Sequence, residues 1–371
     1  MNIKGTPYRS LWIKEGDPKT VWIIDQRYLP HKFVVEEIRT LSEMTSAIRE
    51  MHLRGAPLIG VAAAFGMYLA LLNAPRERPL EKIMEESSST LRAARPTAVN
   101  LQWAVERQLD VIKRSRSKEE GVRILFEEAR KIADTDVASC KRIGEHGLQL
   151  IEALRSKKKA GPVNILTHCN AGWLACVDWG TATSPIYHAF NKGIDLHVWV
   201  DETRPRNQGA SLTTWELGQH RVPHTLIVDN AAGHLMQRGR VDMVLVGSDR
   251  TTASGDVANK IGTYPVALAA RDNGVPFYAA LPSATIDWKI NDGVSEILIE
   301  ERSAEEVTHI QGLCDGEIKK VLLTPRETPA VNYAFDVTPR RLVTGLITER
   351  GICAATRAGL LKLFPEKGNT G

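Results

Sequence analysis

The sequence predicts an α/β protein: a mostly helical first part with a small strand element, then a part built on a largely parallel sheet. Three observations carry this reading. Up to about residue 155, apolar side chains recur at helical spacing. After the charged connector Ser156-Lys157-Lys158-Lys159-Ala160-Gly161-Pro162, short apolar runs take over at residues 163–166, 196–200, 225–228, 243–246 and 277–280. Most of the intervals between them are long enough for a crossover helix, the pattern of βαβ units. Each run also ends in a polar packet: His168-Cys169-Asn170, Asp201-Glu202, Asp229-Asn230, Ser248-Asp249-Arg250 and Pro282-Ser283. The carboxyl ends of parallel strands line a crevice where ligands bind, so five packets in succession suggest one lined site. The connector divides the chain into a helical domain, residues 1–155, and a sheet-based domain, residues 156–371, that carries the strand-end packets.

A chain of 371 residues is long enough for two such cores. Its net charge of +4 is small for this length. That suits a neutral protein or one taking an anionic metabolite, and argues against a nucleic-acid partner. Five scattered cysteines, with no C-x-x-C pair and no zinc spacing, predict free thiols in a reducing compartment, the cytoplasm. The N-terminal residues lack the apolar core of a signal peptide. The most apolar run, residues 57–72, falls short of the roughly 20 residues that span a bilayer and reads as a buried core helix, so no membrane partner is expected.

In order, residues 21–25 read as a strand closed by a turn at Leu29-Pro30. Residues 36–51 carry Ile38, Leu41, Met44 and Ile48 at helical spacing. The break His52-Leu53-Arg54-Gly55-Ala56-Pro57 opens the apolar helix; free N–H groups there favour an anion, though a plain interhelical turn has the same spacing. Helical patterns follow at 80–91, 103–114, 118–131 and 137–154, with Arg95 in a proline-interrupted loop before the second of them. Further on, 300–307 is acidic and loop-like, 319–323 reads as a strand, and 342–350 is amphipathic. The tail after Pro365 is polar and reads as frayed.

Several motifs are missing. There is no G-x-G-x-x-G, P-loop, H-E-x-x-H or EF-hand loop. No metal and no organic cofactor are therefore expected, and the chain's own acids and bases must do the chemistry. Cys169 follows a strand and precedes Asn170-Ala171-Gly172, where a helix is expected to begin; a thiol at a helix N-terminus is biased toward thiolate or an active proton donor. An inert buried cysteine fits the same spacing. Asp249 holds the matching place after another strand, where a carboxyl can act as general acid or base or simply cap a helix. Residues 252–264, with Gly255, Asn259 and Lys260, form a polar loop suited to a phosphate and sugar hydroxyls, and Gln208 stands in a similar loop. A thiol, a carboxyl, amides, a lysine and arginines suit proton or hydride relocation on a phosphorylated sugar, and would equally suit a metabolite sensor.

Arg54-Gly55-Ala56-Pro57, Arg95-Pro96-Thr97-Ala98-Val99-Asn100-Leu101, Thr167-His168-Cys169-Asn170-Ala171-Gly172, Glu202-Thr203-Arg204-Pro205-Arg206, Gln208-Gly209-Ala210 and the run from Gly255 to Tyr264 together resemble the methylthioribose-1-phosphate isomerases, from about Val21 to Gly351. The wider family includes ribose-1,5-bisphosphate isomerases and the regulatory subunits of translation initiation factor 2B. The resemblance implies a helical N-terminal domain, a Rossmann-like C-terminal domain, a homodimer, and an aldose–ketose isomerisation of a 5-modified ribose 1-phosphate without a cofactor. It implies Cys169 and Asp249 as the catalytic pair, and Arg54, Gly55, Ala56, Arg95, Gln208, Asn259 and Lys260 as substrate-binding residues. The sequence departs from the expected pattern after Gly172, where residues 173–188 are bulkier and more aromatic. That places the choice between a 5-methylthio and a 5-deoxy substituent in this stretch.

Overall fold

The computed structural model describes residues 1–369. After a short antiparallel hairpin of Asn2–Ile3 with Thr6–Pro7, the chain forms an antiparallel sheet of three strands, β1 (Leu11–Lys14), β2 (Asp17–Ile24) and β3 (Val35–Ile38). Glu36 and Glu37 therefore belong to a strand, not to the helix expected over 36–51. The helix α1 (Leu41–Arg49) begins later because Thr40 and Glu43 close a reciprocal capping box, satisfying two otherwise free N–H groups.

The helix α2 (Ala56–Asn73) is apolar on all sides and is buried along most of its length. It is the single helix long and apolar enough to cross a membrane among the described residues, and it lies inside the protein. Around it pack α3 (Leu80–Ala94), α4 (Val99–Ile112) and the first half of α5 (Lys118–Lys157). The two helices expected over 118–131 and 137–154 are one helix of 40 residues, about 60 Å long. The intervening Ile132-Ala133-Asp134-Thr135-Asp136 holds no glycine or proline to stop it. Its two halves serve different cores: Leu125, Ala129 and Ile132 join the α2 cluster, whereas Ile143 and Ile151 pack under the large sheet.

That sheet has seven strands. β4 (Val163–Thr167), β5 (Leu196–Asp201), β6 (His224–Ile227), β7 (Met243–Val246), β10 (Phe277–Ala280) and β15 (Gly345–Thr348) run parallel. β16 (Gly351–Cys353) adds an antiparallel edge, giving the order β16-β15-β10-β7-β4-β5-β6. The amphipathic stretch at 342–350 is thus strand β15. Alternate residues of the strands feed opposite layers. Ile165, Val198 and Leu245 pack beside α5 and α6 (Thr183–Asn191), while Leu166, Val244 and Val246 pack with α8 (Ala231–Gln237), α9 (Thr263–Asp272) and α10 (Arg357–Leu363). α7 (Thr214–Gln219) precedes β6.

A second sheet of four strands takes β8 (Arg250–Thr252) and β9 (Val257–Lys260) from between β7 and β10, and β11 (Ile286–Asp287) and β14 (Phe335–Thr338) from after β10, in the order β11-β8-β9-β14. Asn259 and Lys260, expected in a loop, stand on strand β9. β12 (His309–Cys314) and β13 (Glu317–Leu322) form an isolated hairpin, so the strand expected at 319–323 exists but lies outside the main sheet. The acidic stretch at 300–307 runs into a helical turn at Glu305–Thr308. In the tail, Pro365–Asn369 makes a 3-10 turn instead of fraying, and the expectation for the last two residues lies outside the described ones.

Candidate active site

The strand order places the site. From the central β4 the chain winds outward through β5 and β6, then returns to β7 on the other side of β4. This reversal opens a crevice at the carboxyl ends of β4 and β7. Cys169 follows β4 and Asp249 follows β7, so topology alone sets them on the two lips. Lys260, at the end of β9, and Arg54, just before α2, bring their charges to both: each acts electrostatically on Cys169 and on Asp249.

Cys169 is almost fully buried. No α-helix starts at Asn170; a 3-10 turn at Trp173–Ala175 follows, and α6 begins only at Thr183. The thiol therefore lacks the helix N-terminus expected for it. Burial raises its pKa above the ordinary thiol value, against the pull of Arg54 and Lys260, so it rests protonated. Arg54 bridges the loop, with Nη1 donating to Asn170 Oδ1 at 2.7 Å and Nη2 lying 3.8 Å from Cys169 Sγ. No helix follows Asp249, whose neighbour Arg250 opens β8, so a helix-capping role is excluded. Burial raises the Asp249 carboxyl, with Lys260, Arg54 and Arg95 opposing. Burial in turn lowers Lys260, with Cys169 and Asp249 opposing. The cluster is a buried thiol, a carboxyl and several cations whose protonation states are mutually dependent.

Gly55 fits because φ is +102° and a Cβ there would stand 2.4 Å from the Ala175 carbonyl oxygen. It lets the start of α2 lie against the turn that follows the Cys169 loop, with Ala56 as the first helical residue. Arg95 ends α3; its Nη2 is 3.4 Å from Glu300 Oε2, and its buried Nε has no partner. Gln208 precedes a π-helical turn, Gly209–Thr213, and its buried Oε1 is likewise unpaired. Unpaired buried polar atoms of this kind fit a polar ligand. Asn259 donates to Thr263 Oγ1 at 3.0 Å. The N-terminus of α9 is not an open anion site, because Asp336 accepts from Gly262 N–H and Tyr264 N–H.

Arg54 and Gln208 also line a cavity of about 410 Å³, together with Leu29, Met51, Leu212 and Ile310. Arg54 thus joins this cavity to the Cys169–Asp249–Lys260 cluster. The aromatic stretch after Gly172 contributes nothing to the lining: Trp173 and Tyr187 are fully buried in the core beneath. Their bulk fills the layer between α5, α6 and the sheet. His168 also faces inward. Burial alone would push its imidazole down, but Asp201, 2.7 Å from Nδ1, and the Ile261 carbonyl at Nε2 carry it up to about 9. The donor atoms of His168, Asp201 and Asp229 lie within 4.8 Å of one another, yet all three side chains are already engaged within the protein.

One buried carboxylate escaped sequence reading. Glu216, on α7, accepts from Asn170 Nδ2 at 3.2 Å, Leu174 N–H at 3.3 Å and the Tyr187 hydroxyl at 3.0 Å. It secures Asn170 from the side opposite Arg54. A glutamate in a short amphipathic segment reads as solvent-facing, and only its neighbours Asn170 and Tyr187 reveal otherwise.

Fold and site together define an α/β enzyme with a crevice at the switch point of a mostly parallel sheet. The chain belongs to the initiation factor 2 subunit family, whose model matches residues 52–355. It is 57% identical over 368 residues, 99% of this chain and all of the relative, to the methylthioribose-1-phosphate isomerase of Desulfatibacillum aliphaticivorans. It is 55% identical to the enzyme of that name from Rhodospirillum rubrum, covering 99% of this chain and 94% of the relative. Among solved structures it is similar to 5-methylthioribose 1-phosphate isomerase from Pyrococcus horikoshii, with a TM-score of 0.82, 40% identity, and 99% and 100% of the two chains covered. It is also similar to a structure described as translation initiation factor eIF-2B subunit delta from A. fulgidus, with a TM-score of 0.78, 37% identity, and 97% and 100% covered.

Proposed function

We infer that this chain is an aldose–ketose isomerase converting 5-methylthioribose 1-phosphate to 5-methylthioribulose 1-phosphate in methionine salvage. The observation that carries the reading is the pairing of Cys169 and Asp249 on the two strand ends of the switch point, with Arg54 and Lys260 acting on both. Full-length identity of 55–57% to isomerases of that name supports the substrate.

The chemical difficulty is that phosphate blocks the anomeric oxygen, so the ring cannot open as a free hemiacetal. Asp249, with its raised pKa, donates a proton to the ring oxygen as the C1–O bond breaks. The resulting carboxylate then takes the proton from O2 while hydrogen moves from C2 to C1 and C2 becomes the carbonyl. Asp249 thus ends each turnover as it began. In the hydride route the buried, protonated thiol of Cys169 stands against the reacting carbons as a neutral group that stabilises the transition state in a site shielded from water. Arg54, Arg95, Gln208, Asn259 and Lys260 hold phosphate and hydroxyls, and the Gly55-Ala56 backbone brings the start of α2 to the ligand. Leu29, Met51, Leu212 and Ile310 supply apolar contact for the C5 substituent.

Two relatives offer other readings. Ribose 1,5-bisphosphate needs a second phosphate site, and besides Arg54 the cavity's lysine and other arginines each pair with a carboxylate: Arg27 with Asp25, Arg206 with Glu306 and Lys320 with Glu305. A non-catalytic subunit, favoured by the likeness to the A. fulgidus structure, turns over no sugar phosphate. A side-by-side assay with the 5-methylthio, 5-deoxy and 5-phospho forms of ribose 1-phosphate separates all three. Cys169→Ser and Asp249→Asn are each expected to abolish turnover with the fold intact; near-normal rates in both would remove the isomerase mechanism. With C2-deuterated substrate, label retained at C1 marks hydride transfer, and washout marks a proton route.

The same reading includes a homodimer. Val294, Leu298, Leu313, Val321, Val331 and Tyr333 are apolar and at least half exposed, all within one stretch of chain. Sedimentation of the purified protein as a monomer would remove this point. A cytoplasmic location accords with five cysteines in the free thiol form. A domain boundary at residues 155–156 falls in the last turn of α5, where the helical part gives way to the large sheet.

A further inference from the structure

Cys169 has a left-handed backbone, with φ at +66°. A non-glycine residue keeps such a conformation only where its surroundings over-determine it. Here the surroundings are two hydroxyls. The Cys169 N–H donates to Thr203 Oγ1 at 2.8 Å, and Thr213 Oγ1 donates to the Cys169 carbonyl at 2.7 Å. Neither hydroxyl is free to turn away. Thr203 passes its own proton to Asp201 Oδ1 at 2.7 Å, and Asp201 is held through its other oxygen by His168. Thr213 Oγ1 accepts from Asn170 Nδ2 at 3.1 Å. Both threonines are fully buried.

The two hydroxyls come from opposite ends of one irregular segment. Thr203 follows β5 with its own φ at +63° and its N–H on Asp229. Thr213 closes the π-helical turn that Gln208 precedes, a kind of turn often retained where it aims a functional group. The segment is neither an ordinary loop nor an ordinary helix, and its two fixed hydroxyls meet on the two sides of a single peptide residue.

We propose that Thr203 and Thr213 are positioning residues of the reaction, clamping the backbone of Cys169 so that its thiol faces Arg54 and Lys260. This rests on the reading of Cys169 as catalytic. Valine keeps the branched shape of threonine and removes the hydroxyl, so Thr203→Val and Thr213→Val are the primary variants. Each is expected to lower kcat 10- to 100-fold with KM within about threefold, because a displaced thiol affects the reacting carbons and not the phosphate grip. Thr203→Ser and Thr213→Ser are expected to restore most of the rate.

An independent readout is the alkylation rate of Cys169 by iodoacetamide, mapped by mass spectrometry with Cys314 and Cys353 as internal references. It is expected to change several-fold in the valine variants and stay near wild type in the serine variants. If a valine variant fails to fold by circular dichroism, the smaller Thr→Ala change at that position is measured in its place. Valine or alanine variants within twofold of wild type in kcat, serine variants no better than valine, or kcat and KM falling together would each overturn the clamp. Cys169→Ser, run alongside, keeps the two ideas apart. Full activity of that variant removes the catalytic reading of Cys169, whereas an inactive Cys169→Ser beside normal threonine variants removes the clamp alone.

Discussion

Arg54 holds Cys169 and its neighbour with one guanidinium, Nη1 on Asn170 Oδ1 at 2.7 Å and Nη2 at 3.8 Å from the thiol sulfur. A planar fork serves two acceptors at once, which a lysine ammonium on a flexible stem does not. Arg54→Lys is therefore expected to lower kcat/KM by roughly 100-fold, about 2.7 kcal/mol of lost stabilisation. Removing the cation altogether in Arg54→Ala takes away the main influence that opposes burial at Cys169. Its thiol pKa then rises further, and the midpoint of a pH titration of Cys169 alkylation moves upward. An unchanged midpoint in Arg54→Ala would show that the contact has no electrostatic weight.

Arg95 is occupied before any ligand arrives. Glu300 lies 3.4 Å from it and also accepts from Thr97 at 3.3 Å and Arg302 at 2.9 Å. A phosphate dianion reaching Arg95 must compete with this carboxylate. Glu300→Gln is expected to tighten inhibition by inorganic phosphate by about 3- to 10-fold, on the order of 1 kcal/mol for a partly buried charge pair. The Ki for phosphate, measured at fixed ionic strength, checks it. An unchanged Ki would place Arg95 outside the phosphate contact.

How much of this was legible in the sequence follows from burial. Strands β4, β7 and β10 are covered on both faces, so their apolar runs stand out, and the packets after them mark the crevice. β3 reads as helix because half-buried Glu36 and exposed Glu37 precede a real helix and share its polarity. The helix expected after Cys169 does not form; residues 170–182 instead make a tight turn stitched by the Ala171 carbonyl, which accepts from Thr181 and Ala182 N–H. The supporting residues Thr203, Thr213 and Glu216 left no trace in the pattern. They are ordinary polar residues whose meaning depends on contacts between 34 and 46 positions away along the chain.

Gly55 joins the first half of the chain to the turn that follows the Cys169 loop and should tolerate no side chain. Its φ of +102° strains any L-residue, and an added Cβ would meet the Ala175 backbone at 2.4–2.5 Å. Gly55→Ala is expected to destabilise the protein by roughly 2–4 kcal/mol. Because the turn it displaces follows directly on Cys169-Asn170, turnover should fall more than stability does. Thermal melts and kcat measured below the transition test both parts. A normal melt with normal kcat would show that the approach of α2 to this turn is looser than the structure has it.

Glu216 predicts an unusual dependence of stability on pH. Burial raises its carboxyl to about 7, against hydrogen bonds from Asn170, Leu174 and Tyr187. An unfolded glutamate titrates near 4.3, so between these values the folded protein holds a proton that the unfolded chain has released. The stability contributed by neutral Glu216 is thus full below about pH 4 and is lost as pH rises toward 7. Glutamine keeps one acceptor oxygen for Asn170 and Leu174 and offers an amide to the Tyr187 oxygen, so Glu216→Gln removes the titration while preserving most contacts. Between pH 5 and pH 8 the wild type should lose on the order of 2–3 kcal/mol relative to this variant. Asp136, also raised to about 7 by burial, is present in both proteins and cancels in the difference. Denaturant unfolding of the two proteins at pH 5 and pH 8 gives the comparison. Parallel pH profiles would mean that Glu216 remains ionised within the fold.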